Sequence, residues 1–248
     1  MTDKNFSKFL LINGQNEVPL AIRRNPRARR ILLHVGKYDG LVEIVLPPGA
    51  TENDGISFAN MQTDWISKQL SQVRTGIPFV DGATVPLLGQ DVTIRRMQNC
   101  SALPLLKGEE LLLGGGADSL SGRVRRWLQD RALKETKPRV FALAKKIHCI
   151  PGRITLRDTK SRWGSCSRSG NLNFSWRIVM APEPVLNYVV AHEVAHLKEH
   201  NHSKAFWVLV EKLCIEPGKA KTWLRTNGTI LHCYGREKQP KALKPDGL

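Results

Sequence analysis

The stretch from residue 182 to residue 197 restricts the fold more than any other part of the chain, because it predicts a buried helix with ionisable side chains. Pro182 and Pro184 predict the helix start, since proline is favoured in the first turn. The apolar residues that follow form two stripes, with Val185 and Val189 in one and Leu186, Val190, Val194 and Leu197 in the other. A helix that is apolar on two faces is expected to lie in a core.

This helix carries the motif HExxH. Residues four apart on a helix share one face, so His192 and His196 can direct ring nitrogens at one metal ion. Glu193 lies beside them, where a carboxylate can deprotonate a water that is held by the metal. HExxH also arises by chance, but burying these three side chains costs several kcal/mol unless they are paired or bound to metal. The burial argument therefore favours a metal site.

A catalytic zinc usually takes three protein ligands, so a third ligand is expected. His200 would continue the stripe, but on a straight helix it would lie about 12 Å from His192. His202 can reach back if the helix ends near residues 199–201, and Asn201 tolerates the left-handed conformation that ends helices. We therefore predict that His202 is the third ligand. The alternatives are Glu211 and Glu216.

Sequence around this helix resembles a known family. The segments that carry the resemblance are Ser161–Ser167, Gly170–Arg177, Pro184–His196 and Asn201–Trp207. Together they resemble the YgjP-type metallopeptidases, a bacterial group that is often placed beside the SprT-like peptidases. The resemblance implies a zinc-dependent hydrolase of peptide bonds, with zinc bound by His192, His196 and His202 and with Glu193 as general base.

The segment Trp163–Cys166 has two interpretations. In the first, Gly164 makes a tight bend and Trp163 fills the core beneath it. In the second, the strand that follows is an edge along which a peptide substrate lies by strand addition. We favour the first for Trp163 and leave the second open. Cys166 is interpreted as a small buried hydrophobe in preference to a metal-binding thiolate.

Hydrophobic periodicity predicts an α+β fold. A β-rich N-terminal region with one helix is expected over residues 1–116 and a basic flexible tail over 236–248. The resemblance implies that the region between them, residues 117–235, is a zincin-like catalytic domain. The boundary is placed at Gly114–Gly116 because three consecutive glycines suit a flexible connection. The predicted strands are 18–24, 30–35, 41–46, 84–88, 91–96, 111–113, 153–157 and 171–179. The predicted helices, besides the one with HExxH, are 53–73, 120–147 (one kinked helix or two) and 204–213.

Composition suggests a cytoplasmic protein. The five cysteines include no CxxC pair, which favours reduced thiols over a disulfide framework. The first residues lack the basic start and apolar core of a signal peptide. Apolar runs in the chain are also much shorter than the roughly 20 residues that a membrane-spanning helix needs.

The chain is strongly basic, with a formal net charge of +16. One arginine cluster comprises Arg23, Arg24, Arg27, Arg29 and Arg30. Such a cluster can bind nucleic acid through phosphates, dock acidic protein, or be solvated surface. Two alternatives to a general peptidase therefore remain open. One is a peptidase centre that acts on proteins bound to DNA or RNA, and the other is a zinc hydrolase of a non-peptide substrate.

Overall fold

A computed structural model describes residues 8–12, 16–36, 40–73, 75–97 and 103–236. Its contacts divide the chain into two compact units, one of Met1–Gly76 with Glu237–Leu248 and the other of Ile77–Arg236. Both helices and sheets are present in each unit, and the α+β fold class is confirmed. Of the predicted tail, residues 237–248 lie outside the described part.

The first unit contains a four-stranded sheet in the order β1-β2-β4-β3. Its strands are β1 (Lys8–Ile12), β2 (Asn16–Arg24), β3 (Leu32–Val35) and β4 (Val42–Leu46). The pairs β1/β2 and β3/β4 are antiparallel, and β2/β4 is parallel. Alternate side chains of β2 and β4, including Leu20, Val42 and Ile44, point into a core that also contains Ile66.

Two short helices cover this sheet, α1 (Glu52–Met61) and α2 (Thr63–Ser71), where the sequence predicted one. A capping box starts α1, in which the Thr51 side chain accepts a hydrogen bond from the Asp54 N–H and the Asp54 carboxylate accepts one from the Thr51 N–H. Gln62 separates the helices with non-helical backbone angles. Gly55 lets α1 approach β4, since a Cβ there would lie 2.8 Å from the Leu46 side chain.

The second unit begins with a sheet in the order β5-β6-β8-β7. Its strands are β5 (Thr84–Leu87), β6 (Gln90–Met97), β7 (Leu105–Lys107) and β8 (Glu110–Gly114). The hairpin predicted at residues 84–96 is present as β5 and β6, which pair antiparallel.

The two compact units separate at Gly76–Ile77, and the predicted boundary at Gly114–Gly116 falls inside the second unit. The reason is shared burial, because Leu111 and Leu113 of β8 lie in the same core as Val124. In addition, the Leu88 N–H donates to the Val179 carbonyl at 2.8 Å. The β5–β8 sheet is therefore part of the helical unit and not of the N-terminal region.

The remainder of the second unit consists of helices packed on a small sheet. Its elements are α3 (Leu120–Lys146), β9 (Ile154–Arg157), β10 (Gly164–Cys166), β11 (Leu172–Ser175), a 3-10 helix (Trp176–Met180), α4 (Glu183–Ala195), α5 (Lys204–Leu213) and α6 (Pro217–Leu231). Helix α3 runs through Pro138 as one helix. The predicted strand 171–179 ends at Ser175, where the 3-10 helix replaces its second half. Among the described residues no helix is long and apolar enough to cross a membrane.

A buried arginine ties the C-terminal end of this unit together. Arg177 is 3% exposed, and its Nε donates to Oδ1 of Asp158 at 2.6 Å. Its Nη1 donates to the backbone carbonyls of Leu231 at 2.9 Å and Tyr234 at 2.8 Å. The 3-10 helix, the loop after β9 and the end of α6 are therefore joined through one guanidinium.

His232 lies in this cluster and should make stability fall in acid. Burial, followed by the positive charge of Arg177, lowers its pKa from 6.5 to about 4; Arg236 and Lys160 act in the same direction, and Asp158 opposes them. Between pH 6.5 and pH 4, His232 is protonated in the unfolded chain but neutral in the folded chain. Its contribution to the free energy of unfolding is therefore fully present above pH 6.5 and is lost as the pH falls towards 4. The loss is at most about 3 kcal/mol, at 1.36 kcal/mol per pKa unit.

The measurement is urea unfolding of the metal-free protein at about pH 7.5 and about pH 4.5. His232→Gln should lose less free energy of unfolding between these pH values than the wild type. His34→Gln, a change at an exposed histidine, should behave like the wild type. An equal loss in all three proteins would contradict the assignment.

Candidate metal centre

Helix α4 positions two ionisable side chains of the predicted centre. It begins at Glu183 after Pro182, as predicted, and its apolar stripes are buried from Val185 to Val194, whereas Leu197 lies beyond the helix and is partly buried. His192 is half-buried in its last turns, and Glu193 is 5% exposed. His196 is the residue directly after the helix, at its C-cap.

The chain turns back earlier than predicted. Helix α4 ends at Ala195, and the N–H groups of Lys198 and Glu199 donate to the Ala195 carbonyl. Asn201 is absent from the described residues with positive φ, so the predicted left-handed stop at Asn201 is wrong. Its side chain instead accepts a hydrogen bond from the Ser203 N–H at 3.2 Å, just before α5. A turn over residues 196–203 therefore returns His202 towards α4.

This turn brings three histidines together. One ring nitrogen from each of His192, His196 and His202 can be chosen so that all three lie within 4.8 Å of one another. Nε2 of His192 lies 3.2 Å from Nε2 of His202. For tetrahedral zinc with Zn–N distances of 2.0–2.1 Å, two ligand nitrogens are about 3.3–3.4 Å apart. The spacing of this pair fits a tetrahedral zinc ion.

The protonation and orientation of the rings also fit a metal. Nδ1 of His196 lies 2.9 Å from the Glu199 carbonyl oxygen, an arrangement in which Nδ1–H donates and Nε2 keeps its lone pair for a metal. Burial, followed by the charges of His196, His202 and Lys221, lowers the pKa of His192 to about 4. Burial also lowers the pKa of His196. Neutral imidazoles, the form that binds metal, are therefore favoured at neutral pH.

The other candidate ligands lie elsewhere. His200 and Glu211 are exposed, and Glu216 pairs with Lys219 at 2.5 Å. Within the described ranges, the group of potential ligands at this place consists of His192, His196 and His202.

Phe206 supports all three histidines, a role that the sequence patterns did not reveal. It is fully buried on α5, and its ring centroid lies 4.9 Å from that of His192, 4.5 Å from that of His196 and 4.8 Å from that of His202. The apolar ring keeps water from this side of the cluster. Phe206 follows His202 by four residues, a spacing that is compatible with contact between the two side chains. The sequence did not single it out, because an apolar residue at that position is equally expected in a core.

Glu193 lies against the backbone of β10. A Cβ at Gly164 would lie 2.5 Å from Cγ and 2.6 Å from Oε1 of Glu193, so the carboxylate side chain occupies the space that any larger residue would need. Burial raises the pKa of Glu193 to about 7, and the positive charge of Arg162 partly opposes this shift. Gly164 is therefore needed for the close approach of Glu193, in place of the predicted tight bend.

Gly164→Ala should move Glu193 and slow any reaction that depends on it. A displacement of about 1 Å in a catalytic group costs on the order of 100-fold in rate. Metal content should stay unchanged, because the three atoms nearest to the new methyl group all belong to Glu193 and none belongs to a histidine. The matched control is Gly122→Ala on α3, where a new Cβ meets nothing within 4 Å. Equal activities of the two variants would contradict this role.

Two neighbours of Gly164 have structural roles. The Trp163 ring packs against His232 at a centroid distance of 5.0 Å and against Gly228 of α6, in keeping with the core position predicted for it. Burial and then the charge of Glu193 raise the pKa of the Cys166 thiol to about 11. A thiol is therefore favoured there over a metal-binding thiolate.

The predicted nucleic-acid residues lie in the first unit. Arg23, Arg24, Arg27, Arg29 and Arg30 are all exposed. Arg23 pairs with Glu43 at 3.1 Å, and Arg24 donates to the Ala50 carbonyl at 2.8 Å. Binding of nucleic acid by this cluster stays a prediction.

Three comparisons relate this chain to known proteins, and the match to a family model agrees with the type of centre. A family model described as "YgjP-like, metallopeptidase domain" matches residues 29–227. The UTP pyrophosphatase of Escherichia coli (strain K12) is 38% identical over 66 residues, which are 26% of this chain and 40% of that protein. The crystal structure of the metallopeptidase zymogen of Pyrococcus abyssi abylysin matches with a TM-score of 0.30 and 20% identity, over 42% of this chain and 94% of that one.

Proposed function

Because this chain belongs to the YgjP-like metallopeptidase-domain family, we propose that it is a zinc-dependent hydrolase that cleaves peptide bonds. The observation that carries the proposal is that one ring nitrogen from each of His192, His196 and His202 lies within 4.8 Å of the other two. Glu193 lies beside His192 on helix α4.

Each side chain has a defined role in this proposal. His192, His196 and His202 hold zinc, which when bound supplies Lewis acidity and lowers the pKa of water towards 7. Glu193 accepts a proton from the attacking water and delivers it to the leaving amine. Its pKa of about 7 suits both steps, because a group with a pKa near the working pH can accept and return a proton.

Strand β10 is the proposed support for a peptide substrate. The sheet order β10-β11-β9 leaves β10 at an edge among the described strands, and Gly164 on this strand contacts Glu193. An extended peptide that adds to such an edge forms backbone hydrogen bonds along it. Its scissile bond would then lie beside the general base.

The test is cleavage of a mixed-sequence peptide library by the zinc-loaded protein, with mass spectrometry of the products. Cleavage should disappear on chelation and return with zinc. The same library with Glu193→Gln identifies cleavage by a contaminating peptidase, which would persist in the variant. Absence of any cleavage by zinc-loaded wild type would contradict peptide hydrolysis.

Hydrolysis of a nucleoside triphosphate is the second candidate. The 38% identical relative is named UTP pyrophosphatase, and the positive charge of Arg162 acts on Glu193, where it would also attract a phosphate chain. In this case the base would activate water for attack at phosphorus in place of a carbonyl carbon. Release of phosphate or pyrophosphate from UTP, lost in Glu193→Gln, would favour this candidate over the first.

A further inference from the structure

A polar cleft of about 460 Å³ lies on the small sheet of the second unit. It is lined by Arg157, Asp158, Thr159, Arg162, Ser165 and Asn173. Side chains alternate between the two faces of a strand, and Gly164 faces Glu193, so Ser165 faces away from α4. Ser165 pairs with Asn173, which pairs with Thr155 on β9, so these polar residues share one face of the sheet.

Two acceptor groups of this cleft, the Asp158 carboxylate and the Asn173 amide oxygen, already have donors. Both carboxylate oxygens of Asp158 accept from the buried Arg177, at 2.6 and 3.2 Å. Although burial alone would raise the pKa of Asp158, the hydrogen bonds and charge of Arg177 lower it, so this carboxylate stays ionised and paired. The amide oxygen of Asn173 accepts from the Thr155 hydroxyl.

The donors of the cleft are available. Arg157 and Arg162 are exposed, and within the described part of the chain no carboxylate forms an ion pair with either. Asn173 uses its oxygen towards Thr155 and so presents its NH₂ group to the cleft. The Thr159 hydroxyl donates to the Arg162 carbonyl at 2.8 Å, which holds the backbone that carries this arginine.

We propose that this cleft binds a phosphate group of an anionic ligand. Two guanidinium groups and the NH₂ group of Asn173 match phosphate, which accepts several charge-assisted hydrogen bonds at once. Arg162 lines the cleft, and its positive charge also lowers the pKa of Glu193 on the other side of the sheet. Phosphate binding in this cleft can be measured without hydrolysis. The result therefore tests this proposal independently of the hydrolase proposal.

The test measures binding by calorimetry in zinc-loaded Glu193→Gln protein, which prevents turnover of the probes. The probes are inorganic pyrophosphate, UTP and a short single-stranded oligodeoxynucleotide. One cleft variant is Arg157→Gln/Arg162→Gln. The other is Asn173→Asp, which keeps the oxygen that accepts from Thr155 and replaces the free NH₂ donor by negative charge. The control Arg126→Gln/Arg225→Gln removes the same charge from two exposed arginines elsewhere in this unit.

Both cleft variants should bind pyrophosphate at least about tenfold more weakly, since each charge-assisted hydrogen bond contributes about that factor. The control should bind within about twofold of the parent, a change that reflects net charge alone. Tighter binding of UTP would identify the ligand as a nucleotide, and tighter binding of the oligodeoxynucleotide would identify it as a nucleic acid. Equal affinity of cleft variants and control for all probes would overturn the proposal. Binding that depends on zinc and ignores the cleft variants would overturn it as well.

Discussion

Glu193→Gln is expected to slow hydrolysis by about two to four orders of magnitude while zinc stays bound, because the side chain keeps its shape but can no longer accept a proton. Glu193 is 5% exposed and contacts Gly164, so the amide has the same space as the carboxylate. Its raised pKa reflects the cost of burying a negative charge, and a neutral amide avoids this cost. We therefore expect the variant to be at least as stable as the wild type.

The measurement pairs initial rates with zinc content per chain. Glu211→Gln is the matched control, since it makes the same chemical change at an exposed position on α5. It should keep both activity and metal. Full activity of Glu193→Gln would reject the general-base role, and loss of zinc from Glu193→Gln would indicate that the carboxylate helps to hold the metal.

His202→Ala is expected to lose at least about 100-fold in zinc affinity, while His200→Ala keeps the wild-type value. Loss of a partner outside the ligand set already costs 10–100-fold, so loss of a ligand costs more. Nε2 of His202 lies 3.2 Å from Nε2 of His192, whereas His200 lies outside the cluster. Competition with a chromogenic chelator measures both affinities.

A structural defect in His202→Ala is checked by thermal unfolding of the metal-free proteins. His202 is itself exposed, so its replacement should leave the melting temperature of the metal-free protein unchanged. The proposed ligand set is rejected if His200→Ala releases zinc and His202→Ala retains it. Loss of zinc from both variants together with a lower melting temperature would point to damage in the turn over residues 196–203.

The local parts of the candidate site could be predicted from sequence. The spacing of His192 and His196 on a buried helix needs only the period of an α-helix and the cost of burying imidazoles. His202 followed from the argument that three ligands must surround one ion. The resemblance to the YgjP family is confirmed by the family model.

Parts that depend on distant contacts could not be predicted. Gly164 on β10 contacts Glu193 on α4, and a glycine in a sequence does not reveal which side chain will pack against it. The predicted helix end was too late because Asn201 is a residue that commonly ends helices. Helix α4 instead ends at Ala195, whose carbonyl accepts hydrogen bonds from the N–H groups of Lys198 and Glu199. The glycine run at residues 114–116 suggested a domain boundary. Leu111 and Leu113, which precede it, are however buried in the same core as Val124, which follows it.

The three histidines lie in one short stretch, residues 192–202, whereas Gly164 reaches Glu193 from a distant strand. Contacts that are close in sequence form early in folding, and those between distant segments form late because a long loop must first be closed. If the three histidines bind zinc as proposed, we expect a partly unfolded chain to acquire it before β10, which confines the carboxylate, has docked. Loading and catalytic competence would then be separate steps in the maturation of the protein, with the second gated by sheet formation.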